Sequence, residues 1–146
     1  MNEQDNLSPD LQSSILCDDV RQERNGKFIL IGLFDAIGAP SFPLKYPRLF
    51  MVNRWCSGAG EFTQQTRIMK PDQHTVLIAG KEIPVRLPHP EATATNVEIF
   101  LNVTFAEAGT HWVEVMLNGR MLIRYPLRVA PVQPGRPQTN AEPPPG

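Results

Sequence analysis

The sequence predicts an all-β fold, an antiparallel β-sandwich followed by a disordered proline-rich tail, and three observations carry that expectation. Apolar residues alternate with period two across much of the stretch from Ser14 to Val129, the pattern of strands that put one face on a core. Turn-forming clusters, "RNGK", "SGAGE", "KPDQH" and "LPHP", divide those runs at short intervals. Fifteen prolines in 146 residues, about double the ~5% average, leave little room for helix.

The first expected strand, Ser14 to Val20, turns Ile15 and Cys17 toward the core and ends at Asp18-Asp19, where Arg21, Arg24 and Lys27 can pair with the carboxylates. Lys27 to Ala36 follows. Its central run, Phe28 to Phe34, is apolar on both faces apart from Gly32, so its outer face needs cover; neighbouring loops are the expected cover, ahead of a partner chain. Strands are then expected at Arg48 to Cys56, Phe62 to Met69, Thr75 to Ala79 and Ile83 to Leu87. "VEIFLNVTF" is the cleanest alternation, with Val97, Ile99, Leu101, Val103 and Phe105 on one face and Glu98, Phe100, Asn102 and Thr104 on the other.

The last two strands meet at Asn118-Gly119. A two-residue loop there would set the apolar row of one strand against Arg120 and Arg124. A three-residue loop, Leu117-Asn118-Gly119, instead pairs Val115 with Met121, Val113 with Ile123 and His111 with Tyr125, and is the expected register. It places Trp112 across from Arg124 as a cation–π pair worth roughly 0.5 to 1 kcal/mol. Pro126 lacks an N–H, so its strand is expected at a sheet edge.

Domain limits follow from composition. Residues 1–12 are polar and expected to be flexible, 13–129 form the sandwich, and 130–146 form a disordered tail with six prolines (131, 134, 137, 143, 144 and 145) and almost no apolar side chain. A net charge of -1 lacks the basic excess of a nucleic-acid binder, so no nucleic-acid partner is expected. No apolar run approaches the ~20 residues of a membrane-spanning helix, and the N-terminal stretch lacks a signal-like apolar core, so a cytoplasmic protein that does not bind membrane is expected. Cys17 and Cys56 then read as free thiols.

The residues show no catalytic constellation. Asp18 and Asp19 would raise the pKa of Cys17, the opposite of what a thiolate nucleophile needs. His74, His89 and His111 are scattered and lack metal-ligand spacing, and "GAGEF" is a turn with no helix behind it to hold a phosphate. No cofactor or metal is expected. Arg120, Arg124 and Arg128 would line the outer face of one strand, and outward Phe100, Trp112 and Met116 complete a candidate partner surface. The expectation is a non-enzymatic domain that binds another protein or self-associates. The alternative is a small-molecule or anionic-ligand sensor with a pocket near Arg54, Trp55 and the Leu87-Pro88-His89-Pro90 turn.

"FAEAGTHWVEV", Phe105 to Val115, resembles the corner that enters strand F of immunoglobulin-like domains, with His111 in the usual tyrosine's place and Val113 where a cysteine would stand. Together with "CDDVRQERNGKFILIGLF" and "YPLRV", the stretch from Ser14 to Val129 resembles a bacterial family of small, uncharacterised immunoglobulin-like β-sandwich proteins. That resemblance implies a fold without the inter-sheet disulfide, and it carries no catalytic residues.

Overall fold

The computed structural model describes residues 6–132. Ten strands, and no helix among the described residues, follow in chain order: β1 (Asp10–Gln22), β2 (Phe28–Phe34), β3 (Ala36–Ala39), β4 (Leu44–Cys56), β5 (Gly60–Met69), β6 (Val76–Ala79), β7 (Ile83–Leu87), β8 (Ala94–Phe105), β9 (Gly109–Leu117) and β10 (Arg120–Pro131). They form two sheets. One has the order β2-β1-β4-β8; the other runs β3-β10-β9-β5-β6, with β7 pairing β5 as well. Every pairing is antiparallel except that of β3 with β10.

Regular structure extends past the expected 13–129 on both sides. Leu7 bridges Ala59, β1 begins at Asp10, and the Val132 N–H donates to the Ala39 carbonyl at 2.9 Å. The expectations for residues 1–5 and 133–146, including most of the proline-rich tail, lie outside the described residues.

The interior holds two apolar clusters. The larger is built around Leu16, Leu49, Met51, Phe105, Val113 and Leu127, the smaller around Trp55, Phe62, Val85, Leu87 and Val115. Each such side chain contributes roughly 1.5 to 3 kcal/mol when fully buried. Between the clusters lies a polar layer. Trp55 Nε1–H and Asn96 Nδ2–H both donate to Gln64 Oε1, at 2.7 and 3.1 Å. Thr66 Oγ1–H donates to Glu98 Oε1 at 2.6 Å, and the Lys81 N–H donates to Glu98 Oε2 at 2.9 Å. Gln64, Thr66 and Glu98 are buried, and these bonds satisfy polar atoms that burial would otherwise penalise.

The structure corrects the expected facing in two strands. In β8, Phe100 is buried in the larger cluster while Ile99 and Leu101 are exposed, so Phe100 belongs to no outer surface. Val103 and Phe105 still face the core, because Asn102 adopts a left-handed φ of 53° and switches the alternation there. In β1, Leu16 enters the larger cluster, and Cys17 points to the opposite side into a small buried group with Phe50 and Val52.

The β9–β10 hairpin departs from the expected loop. Asn118 (φ 49°) and Gly119 (φ 78°) form the two-residue turn, pairing Leu117 with Arg120, as Asn-Gly prefers when both positions need positive φ. A bulge between Met121 and Ile123 then inserts the extra residue that restores the parity. Val115 faces Ile123, Val113 faces Tyr125 and His111 faces Leu127, two residues beyond the expected register. Trp112 therefore lies across from Pro126, and Arg124 across from Glu114. Pro126 sits where β10 has only β9 beside it, because β3 joins no earlier than Arg128. Its missing N–H is tolerated there even though β10 is not an edge strand along its whole length.

Candidate functional site

The four-stranded sheet ends in β2 on one side and β8 on the other, and β2 has β1 as its sole neighbour. Ile29 and Ile31, across from Arg21 and Asp19 on one face, are 43% and 42% exposed, and Leu33, across from Cys17 on the other face, is 55% exposed, so the cover expected of neighbouring loops is not there among the described residues. Leu30 shares the face of Leu33 and packs with Val20 against Cys17, Phe50 and Val52. The double-sided apolar sequence of β2 thus serves the small buried group through Leu30 and the larger cluster through Phe34, and leaves Ile29, Ile31 and Leu33 exposed. Within β2 there is no lysine, proline or other charge of the kind that normally blocks edge pairing.

Glycine shapes this edge. Gly32 holds a φ of 70° opposite Asp18, and a Cβ there would meet Asp18 Oδ2 at 2.6 Å; both conditions demand glycine. The tip of the β1–β2 hairpin lies close to the outer face of β4 and β8. Between them is a cleft of about 590 Å3 lined by Lys27, Arg54, Thr93 and Thr95 over Phe28, Leu30 and Val52. Arg54 Nε–H donates to Thr95 Oγ1 at 3.2 Å. The pocket expected near Arg54, Trp55 and the Leu87 turn is not formed as such, because Trp55 and Leu87 are buried inside the sandwich while Arg54 points out of the opposite face into this cleft.

The expected partner surface is divided. Trp112 and Met116 lie half-buried on the outer face of β9, either side of Glu114. Glu114 is buried and bonded by two arginines, Arg67 from β5 and Arg124 from β10, the latter through Nη2 at 2.7 Å. Burial pushes the Glu114 carboxyl up, but the hydrogen bonds and charges of the two arginines outweigh it and hold the carboxyl below its ordinary value. Arg124 is therefore a structural counter-ion, not a free cation. Its neighbours on the strand separate as well: Arg120 pairs with inward-facing Leu117, while Arg124 and Arg128 pair with Glu114 and Thr110. The bulge puts Arg120 on the face opposite the other two, so the three do not form one basic stripe.

Cys17 is fully buried. Burial raises its thiol pKa first, the Asp19 backbone N–H opposes this, and the Asp18 and Asp19 charges raise it further. The two aspartates have separate partners. Asp18 accepts from the Tyr46 hydroxyl at 2.8 Å, and Asp19 pairs with Arg21 at 3.3 Å. No three of His, Cys, Asp and Glu come together as a metal site among the described residues.

His111 is buried edge-on against Phe105, with ring centroids 5.1 Å apart, and its Nδ1–H donates to the Gly109 carbonyl at 3.2 Å. Burial lowers its pKa, and the bond to Gly109 works weakly the other way. The folded state holds the ring neutral, so its contribution is complete above the unfolded value of about 6.5 and is lost as pH falls through the depressed folded value. Urea midpoints at about pH 7.5 and about pH 5.5 should differ for the natural chain and differ less for His111→Phe.

A comparison with known families matches residues 12–130, nearly all of the described chain, to a family of unknown function, DUF6941. The chain belongs to that family. The match spans both sheets, from β1 through β10. A search of curated proteins found no match. Among solved structures, the Pseudomonas fluorescens alkylpurine DNA glycosylase AlkC, bound to DNA containing an abasic site analog, is similar with a TM-score of 0.46 and 15% identity over 66% of this chain. The likeness spans 28% of the glycosylase chain, and at that level nothing of its activity transfers.

Proposed function

We propose that this family member is a non-enzymatic, immunoglobulin-like β-sandwich of the bacterial cytoplasm that binds another protein by adding a strand to its open β2 edge. The observation that carries the reading is β2 itself: seven residues with one unpaired side and three exposed apolar side chains, Ile29 and Ile31 on one face and Leu33 on the other. The immunoglobulin-like assignment is supported by a strand order in which β3 runs parallel to the last strand, followed by β9 and β5, and by a buried His111 in the corner position. Two free cysteines suit a reducing compartment.

The test is selection of extended peptides from a display library, followed by amide exchange. Bound peptides should protect the amides of β2. Ile31→Lys, a change at an exposed position, should weaken binding about tenfold or more by placing a charge on the edge. Peptides that bind elsewhere and ignore Ile31→Lys would overturn the reading.

A second reading, capture of a small anion, is favoured by the cleft, where Lys27 and Arg54 stand over an apolar floor. Small carboxylates that raise the unfolding midpoint of the natural chain but not of Arg54→Ala would support it.

A further inference from the structure

We propose that the outer face of the four-stranded sheet docks an acidic amphipathic helix of a partner protein, at a surface separate from the β2 edge.

Strand pairing fixes which side chains lie on that face. Leu33, Cys17, Phe50 and Ile99 stand directly opposite one another across β2, β1, β4 and β8, and the next outward pair is Arg48 with Leu101. Leu49 and Phe100, which lie between those two pairs, are buried in the larger cluster on the inner side. In the outer row Cys17 and Phe50 are buried, whereas Ile99 and Leu101 are 50% and 61% exposed. The β1–β2 hairpin shelters the other end of the face, where Leu30 packs near Val52 beside the cleft. Neighbouring large apolar side chains on β8 are thus left without cover among the described residues.

Charge selects the occupant. Lys45, Arg48 and Arg54 point outward along β4, and none has an ion-pair partner among the described residues. The guanidinium carbon of Arg48 lies 5.6 Å from the centre of the Phe50 ring, which sets a cation over the apolar row. Neither β4 nor β8 turns a carboxylate to this side, because Glu98 faces inward and bonds Thr66. A second copy meeting this one through the same face would therefore bring the same cations and nothing to neutralise them. The chain's own ends do not fit either. Residues 133–146 hold one acid, Glu142, and no apolar side chain beyond alanine and proline. Asn6 lies against Gly60, past the end of β4 at Cys56. Residues 1–5 reach at most about 17 Å from there, short of the ~20 Å of strand between Cys56 and Phe50.

The face also selects a helix. A sheet face offers no backbone groups to pair with, so a segment lying on it must satisfy its own. Outward residues along a strand recur about every 6.6 Å, and helix positions four apart about every 6 Å. A helix along β8 therefore meets Val97, Ile99 and Leu101 with successive turns. Its acids belong on the flank above β4, against Arg48 and Lys45.

Two synthetic peptides of about 18 residues, cross-linked to hold a helix, test this on the full chain. Both carry leucine at every fourth position, and the stripe beside it is glutamate in one and lysine in the other. The glutamate peptide should shift the amide resonances of Phe50, Ile99 and Leu101 and bind about tenfold or more tightly than the lysine peptide. Leu101→Asp and Arg48→Glu, both at exposed positions, should each weaken it about tenfold. Leu101→Ser should act in the same direction without adding a charge, and Arg48→Lys should keep most of the affinity. Ile31→Lys should leave it unchanged. Failure of the glutamate peptide to bind, equal binding of the two peptides, or binding indifferent to both Leu101 variants overturns the inference. So does tighter binding to phosphatidylserine vesicles than to the glutamate peptide, which makes the face a membrane contact. Strand addition at β2 depends on Ile31 and helix docking on Leu101, so either reading can fail while the other stands.

Discussion

Trp55→Ala is expected to lower the unfolding free energy by about 4 kcal/mol, a large share of the ~5–15 kcal/mol that a domain of this kind holds. Trp55 is fully buried at the centre of the smaller cluster, against Phe62, Val85, Leu87 and Val115. Its removal leaves a cavity that β4 and β5, fixed by their ladders, cannot close. It also takes away the indole donor that satisfies Gln64 Oε1 inside the sandwich. Trp55→Phe should cost much less, because most of the ring volume stays and Asn96 still donates to the same oxygen. Urea denaturation of the two variants separates the volume effect from the hydrogen bond, and equal losses would show that the cavity is not the dominant cost.

Glu114→Ala is the second large effect, expected at about 3 kcal/mol. The carboxylate is buried and bonds arginines from the strands on either side of it. Both arginines remain about 33% exposed, so solvent relieves part of their stranded charge and the loss falls at the low end for a broken buried pair. The pH dependence has a definite sign. A carboxyl held below its ordinary value stabilises the fold fully above about pH 4.3, and that stabilisation is lost as pH falls through the depressed folded value. The gap between the natural chain and Glu114→Gln should therefore narrow below about pH 4, measurable from chemical denaturation across that range.

Neither residue stands out in the sequence. Trp55 lies in a run, "LFMVNRWC", that is buried on both faces from Leu49 to Asn53, where alternation loses its power to say which side is the interior. Glu114 reads as one more polar residue on the outward face of β9. Only the ladders reveal that β5 and β10 each bring an arginine to it. The same blindness explains the misplaced Arg120 and the misplaced Trp112–Arg124 pair. Parity counted outward from the turn fails there, because a one-residue bulge at Met121–Ile123 redirects everything beyond it.

Period-two patterning, turn clusters and scarcity of helix formers determined by themselves that the chain is built of strands in two layers, because that information is local: each side chain's direction follows from its neighbours along the backbone. Tertiary structure alone decided which apolar residues face water. Ile31 and Val113 carry similar β-branched side chains, yet the first is exposed and the second fully buried, because β2 ends a sheet while β9 lies inside one. The difference is set by which strand lies alongside, a long-range pairing whose partners are far apart in sequence and so leave no local trace.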